Sequence, residues 1–221
     1  MDFGFLSDYS YYFLTGTVNT VLIAFLTVIA GVVIGTLLAL MKISGNRAFR
    51  VAATAYIEFI RGTPILVQAL IFFYLIQIPD FKVLGLDMAR FIPGVIALSV
   101  NSGAYVAEII RAGIQAVDKG QMEAARSLGF TAGQSMRYII IPQAIKNILP
   151  ALGNEFIVVI KESSILSVIG IVELMRSADI VKTAIYRPFE PLLVTAVIYF
   201  ILTFTCSRVL GIAERRLRTS D

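Results

Sequence analysis

The sequence predicts an all-α integral membrane protein with five transmembrane helices. Three observations carry that reading: 57% apolar against 15% charged residues in 221, a mean hydropathy of +0.82, and an uncharged apolar run over 17–41. A soluble domain carries about 25% charge, and a hydrocarbon core of about 30 Å needs roughly 20 helical residues. Composition also removes whole classes of function. With no His and a single Cys206, the chain builds no His-based triad, no His/Cys zinc site and no internal disulfide. It contains no GxxxxGK[ST] loop and no GxGxxG after a strand-like run, so any ATP is handled elsewhere. The net charge of +4 is dispersed between apolar segments and forms no basic stripe, which argues against nucleic acid.

The first span, 17–41, is followed by 92–113 and 191–212, the last broken only by Arg208. Two further spans are polar enough to lower their hydropathy: 51–78 contains Glu58, Arg61 and Pro64, and 147–170 contains Asn154, Glu155, Lys161 and Glu162. Twelve Lys and Arg, from Lys42 to Arg218 and including Arg216, fall in the tail and the loops after the first and third spans. Five (Lys82, Arg90, Arg176, Lys182 and Arg187) fall on the other side. The positive-inside rule then places the N-terminus outside and the C-terminus in the cytoplasm. The first forty residues hold no Lys or Arg, so no cleavable signal peptide is expected. With no repeat and no long linker, residues 1–221 read as one membrane domain. In 171–190, Leu174, Ala178, Val181 and Ile185 share one helical stripe, which predicts a short amphipathic helix at the outer surface.

Ionisable groups within spans are costly and mark function by default. Glu58, Arg61, Ile65 and Gln68 share one helical face, beside the turn Gly62-Thr63-Pro64 where Pro64 releases the carbonyl of Ile60. Asn101, Tyr105 and Glu108 share a face of the third span, next to Ser102 and Gly103. Glu155 and Glu162 are two turns apart in the fourth. At a rise of ~1.5 Å per residue, Pro64, Asn101 and Val158 lie near midplane, Glu58 about 9 Å and Glu155 about 5 Å nearer the cytoplasm. Converging polar faces beside a broken helix are what a solute pathway requires. The alternative is that Glu58 with Arg61, and Lys161 with Glu162, neutralise each other as glue between helices. Gly31 and Gly35 form a GxxxG read as helix packing.

On the cytoplasmic side, 116–142 predicts a rigid knob. Gln121 to Leu128 forms a short helix with Met122, Ala125 and Leu128 at helical spacing, Gly129 ends it, and a second helix precedes Pro142. Glu123, Ala124, Ala125, Gly129, Ile139, Ile141 and Pro142 resemble the EAA-x3-G-x9-I-x-L-P signature of permease subunits of bacterial ABC importers, with Ile141 at the usual Leu. The stretches IRGTPILVQ (60–68), NSGAYVAEIIRAGI (101–114) and PALGNEFIVVIKESS (150–164) are similar to the polar amino-acid permeases of that superfamily.

The resemblance implies a type I ABC importer permease in the bacterial cytoplasmic membrane. It implies a cytoplasmic ABC ATPase dimer that binds the ATP, a second permease copy or a sister chain, and an external solute-binding protein; the chain itself has no cofactor, metal or catalytic residue. Coupling to the ATPase falls on Glu123, Ala124, Ala125, Arg126, Leu128 and Gly129. For an amino-acid solute, Arg61 with backbone donors near Gly62 and Thr63 is expected to take the carboxylate, and Asn101 and Ser102 the ammonium. Glu58, Gln68, Tyr105, Glu155 and Glu162 complete the candidate pocket. Within the spans Glu58, Glu108, Glu155 and Glu162 face Arg61 and Lys161, a lean of two negative charges that suits a basic side chain. Two rival readings are an intramembrane enzyme using Glu155, Glu162 and Arg61 on a lipid-linked substrate, and a passive polar-solute channel.

Overall fold

The longest apolar run folds as α1 (Leu6–Ile43), a helix begun well before residue 17. A computed structural model describes residues 2–218, with side chains to 215. The tail residues Arg216 and Arg218 counted in the charge bias therefore lie outside the described side chains. After α1 come α2 (Arg47–Arg61), α3 (Ile65–Leu75), a two-stranded antiparallel hairpin of β1 (Lys82–Val83) and β2 (Leu86–Asp87), and α4 (Met88–Gln115). The short helices α5 (Lys119–Ser127) and α6 (Ala132–Ser135) lead into α7 (Ile141–Glu162). The chain closes with α8 (Leu174–Ile185) and α9 (Phe189–Arg218).

Three described helices, α1, α4 and α9, are long and apolar enough to cross a membrane. α2 and α3 reach such length and apolarity only together, and they are bent by 105° at the break where Pro64 stands. The segment expected as a further span, 147–170, is α7 continued by a 3₁₀ turn, Ser163–Ile169, which ends at left-handed Gly170.

The framework is the seam between α1 and α4. A Cβ at Gly31 would lie 2.9 Å from Ser102 Oγ, and one at Gly35 2.6 Å from Val106 Cβ. The GxxxG therefore serves close packing, as read, and it also sets the height of Ser102 in α4. Tyr56 ties α2 to the same helix by donating to the Val100 carbonyl at 2.9 Å. The 171–190 stripe forms as expected: Leu174, Ala178 and Val181 are buried against Phe13, with Ile185 at the margin. Asp2 accepts from Arg187 at 2.9 Å and fastens the N-terminus near the α8–α9 turn.

Glu173 locks the start of α8. It is fully buried, accepts the N–H groups of Met175 at 2.8 Å and Arg176 at 2.7 Å, and receives the Tyr199 hydroxyl at 3.0 Å. Thr20 Oγ1 accepts the Leu174 N–H at 3.1 Å, and Asn19 donates to the Val172 carbonyl at 2.7 Å. Burial outweighs these hydrogen bonds and pushes the Glu173 carboxyl up to about 7. The folded protein thus holds a proton that the unfolded chain has released. The stabilisation is complete below the ordinary carboxylate range and is lost as pH rises through about 7. In detergent, the melting temperature of the wild type is expected to fall between pH 5 and pH 8 (about the window set by the two values) and that of Glu173→Gln to stay flatter. Parallel curves would show that Glu173 does not titrate there.

Candidate functional site

Pro64 has no N–H to offer the Ile60 carbonyl, and the structure shows what replaces it. Gln68, one turn into α3 and 4% exposed, donates Nε2 to the Ile60 carbonyl at 2.8 Å and to Thr63 Oγ1 at 2.8 Å. Its Oε1 accepts from Asn101 Nδ2 of α4 at 2.9 Å. The bend is therefore stapled from within by one buried amide and tied to α4 by a second. Thr63 donates back to the Phe59 carbonyl at 3.0 Å. The Gly62 N–H is engaged with the Glu58 carbonyl at 2.9 Å, so it is not among the free donors expected at this turn.

One residue beyond Asn101, Ser102 donates to Glu155 Oε1 at 2.7 Å, linking α4 to α7. Glu155 is 8% exposed and forms no ion pair among the described residues. Glu162 is half-buried two turns on, and Lys161 beside it is exposed. The Arg61 guanidinium lies 5.3 Å from the centroid of the Tyr105 ring, a cation–π contact between α2 and α4. Glu58 is exposed on α2. Neither Glu58 with Arg61 nor Lys161 with Glu162 forms an ion pair among the described residues. Glu108 does pair, with Lys42 at 2.6 Å and Arg111 at 2.7 Å. It belongs to a charge network at the end of α4 nearest α5, away from the polar cluster. Removing it cuts the negative lean within the spans to one.

Thus Gln68 and Thr63 meet Asn101 between α3 and α4, and Ser102, one residue on, meets Glu155 of α7, while Arg61 and Tyr105 form an exposed pair on α2 and α4. Such an arrangement offers acceptors and a positive group to a zwitterion.

The cytoplasmic knob begins with Asp118 capping α5 through the Gly120 N–H at 2.7 Å. Gly129, at φ +88°, ends it, with the Phe130 N–H returning to the Ala125 carbonyl at 3.2 Å. Ala125 is buried at 1% exposure and Met122 packs against Met136 and Ile140. Glu123 and Ala124 are exposed, and Arg126 donates to the Phe130 carbonyl at 2.8 Å. Leu128 departs from the predicted stripe: it stands 78% exposed at the tip because the chain has already begun its turn there. The second helix is also not separate. The single turn of α6 runs through a π-turn, Met136–Ile140, directly into α7. There the Ile141 N–H reaches the Met136 carbonyl, and Pro142 cannot supply the bond that a regular helix needs next.

Sequence reading did not anticipate the Glu173–Tyr199–Thr20 junction or the Lys42–Glu108 pair. The position of Glu173 just ahead of an amphipathic stripe was its only signal, and nothing local marked Lys42, which stands 66 residues from Glu108.

A broken helix, a polar junction within apolar helices and a rigid terminal knob define a membrane transport subunit. The chain belongs to the family of binding-protein-dependent transport system inner membrane components, whose model matches residues 31–219. It is 46% identical over 205 residues to the putative glutamine transport system permease protein GlnP of Rickettsia bellii, covering 93% of this chain and 92% of that one. It is 41% identical to the arginine transport system permease protein ArtQ of Bacillus subtilis, covering 95% and 94%. A crystal structure of an amino acid ABC transporter with histidines superposes with a TM-score of 0.90 at 52% identity, over 98% of this chain and 99% of that one. The inward-facing MetNI methionine ABC transporter shares the fold, with a TM-score of 0.72 at 16% identity. The chain is a permease subunit, ATP hydrolysis resides in a separate subunit, and the family implies an ATPase and a binding protein as partners. The enzyme and passive-channel readings find no support.

Replacing Gln68 by Leu would leave the Ile60 carbonyl only the long 3.4 Å contact from the Thr63 hydroxyl and orphan the Asn101 amide, at about 1–3 kcal/mol for a buried group. A drop of several degrees in the detergent melting temperature is expected for Gln68→Leu. An unchanged value would mean that the bend is held by something else.

Proposed function

We propose that this chain is the translocation subunit of an ATP-driven importer of polar amino acids, with a preference for basic ones. The observation that carries this reading is Glu155: a carboxylate buried between α4 and α7, engaged by the Ser102 hydroxyl and without a cationic partner among the described residues. A buried carboxylate with spare acceptor capacity is costly unless a ligand's positive group meets it. The relatives support the solute class, since two of them are named for glutamine and arginine transport.

In this reading five spans cross the bacterial cytoplasmic membrane, α7 with its 3₁₀ extension being the fifth, with the N-terminus outside and the C-terminus inside. Two permeases, identical or sister chains, enclose the path, an external binding protein delivers the solute, and an ATPase dimer grips the knob. Glu123, Ala124, Arg126, Leu128 and Gly129 meet the ATPase, with the exposed Leu128 as the apolar tip, while buried Ala125 holds α5 to the π-turn. The chain binds no cofactor of its own. Within the pocket, Glu155 and Glu162 attract a cationic side chain, Asn101, Ser102 and Tyr105 line the solute, Arg61 faces its carboxylate, and Glu58, Gly62, Thr63 and Gln68 frame the bend.

In proteoliposomes carrying the whole transporter, Glu155→Gln is expected to cut lysine and arginine uptake about tenfold or more, the loss of one charge-assisted contact, while glutamine uptake changes far less. Equal losses for all three would remove Glu155 from selectivity, and uptake without any ATPase would remove the importer reading itself.

A further inference from the structure

At the end of α4 opposite the knob, a second polar site stands apart from the junction. A groove of about 280 Å³ opens between the last turn of α3, the 3₁₀ turn and the start of α8. Arg90 and Arg176 line it from different elements, with Phe73, Tyr74 and Ser167, and no carboxylate is among its lining residues.

The Arg90 guanidinium and the Arg176 backbone are held in place. Arg90 Nε bonds Asp87 at 3.1 Å, and its Nη1 rests on Gly170, where a Cβ would overlap it and where φ is +83°. Only glycine combines that backbone with that contact. Arg176 projects from the first turn of α8, whose position is set by buried Glu173 through the Arg176 N–H at 2.7 Å. Its side chain forms no ion pair among the described residues. Asp87 offsets one of the two charges, so the groove keeps an excess positive charge, and a guanidinium is a planar donor suited to a carboxylate.

The groove and the junction share helices. Phe73 lies five residues beyond Gln68 on α3, roughly 8 Å along the helix. Ser167 lies five residues beyond Glu162, on the extension of α7. We propose that the groove between Arg90 and Arg176 is an entry subsite that receives the α-carboxylate of an arriving amino acid before the solute passes to the Glu155 junction. The proposal rests on the amino-acid reading above. Because every amino acid carries this carboxylate, the subsite governs how fast solutes enter and leaves selection among side chains to Glu155.

The test is uptake by the full transporter with its loaded binding protein, in vesicles of phosphatidylcholine alone and with phosphatidylglycerol added. Arg176→Gln and Gly170→Ala are expected to slow lysine and glutamine uptake alike, by about tenfold for the lost charge-assisted contact, in both lipids. The binding-protein concentration giving half-maximal uptake is expected to stay as in the wild type, and Arg176→Lys to recover part of the rate. Unchanged uptake would overturn the proposal. A raised half-maximal binding-protein concentration would make the arginines a protein-docking contact, and a loss seen only with phosphatidylglycerol would make them a lipid-headgroup site; either overturns it. Wild-type vesicles that take up neither amino acid would instead defeat the importer reading, and this proposal with it.

Discussion

The constraint on which this structure depends is that a helix broken inside an apolar bundle must find partners for its released backbone groups without water. Pro64 makes the break, Gln68 takes up the Ile60 carbonyl, and Asn101 holds Gln68 in turn. Every later feature of the site inherits its position from that staple. It fixes α3 against α4, and α4 is already fixed against α1 by the glycine seam at Gly31 and Gly35. Ser102, seated on Gly31, then meets Glu155 of α7. A polar junction is thereby assembled from three helices with few buried polar atoms left over: among the described side chains only Thr27 Oγ1 and Ser177 Oγ lack a partner.

The same helices lead to the knob. α4 runs about 42 Å at ~1.5 Å per residue from Arg90 near one end, past Asn101 and Ser102, to the short link before α5. α7 returns from the knob through the π-turn to Glu155. Movement of α5 is therefore transmitted to both sides of the Ser102–Glu155 contact. A π-turn is a natural place for adjustment, because its backbone is already one bond out of helical register. This is a mechanical argument for how an ATPase outside the membrane would open and close a site within it.

Much of this was legible in the residue order because the signals were local. Pro64 and the freed Ile60 carbonyl, the GxxxG, the Leu174–Val181 stripe and the helix stop at Gly129 each depend on residues within a few positions of one another. What escaped depended on distance or on context. Spacing placed Glu108 on the face of Asn101, but Lys42, far away in sequence, neutralises it. Leu128 fits a helical stripe, yet the helix ends at Ser127 and leaves it outward. Helical periodicity also cannot report a π-turn, which shifts the register between Met136 and Ile141. The groove at Arg90 and Arg176 unites residues 86 positions apart in sequence, so only the fold brings them together.

The central claim is that the exposed Arg61–Tyr105 pair and the exposed Asn154 of α7 meet a wet solute path and not lipid. Thiol accessibility tests it directly, because Cys206 is the only cysteine to remove. In a Cys206→Ser background, single cysteines at Tyr105, Asn154 and the exposed apolar position Val197 of α9 would be exposed to a water-soluble thiol reagent in membrane vesicles. The account predicts rapid modification at Tyr105 and Asn154, slowed by a transported amino acid, and slow modification at Val197. Equal, solute-insensitive rates at all three positions would contradict it.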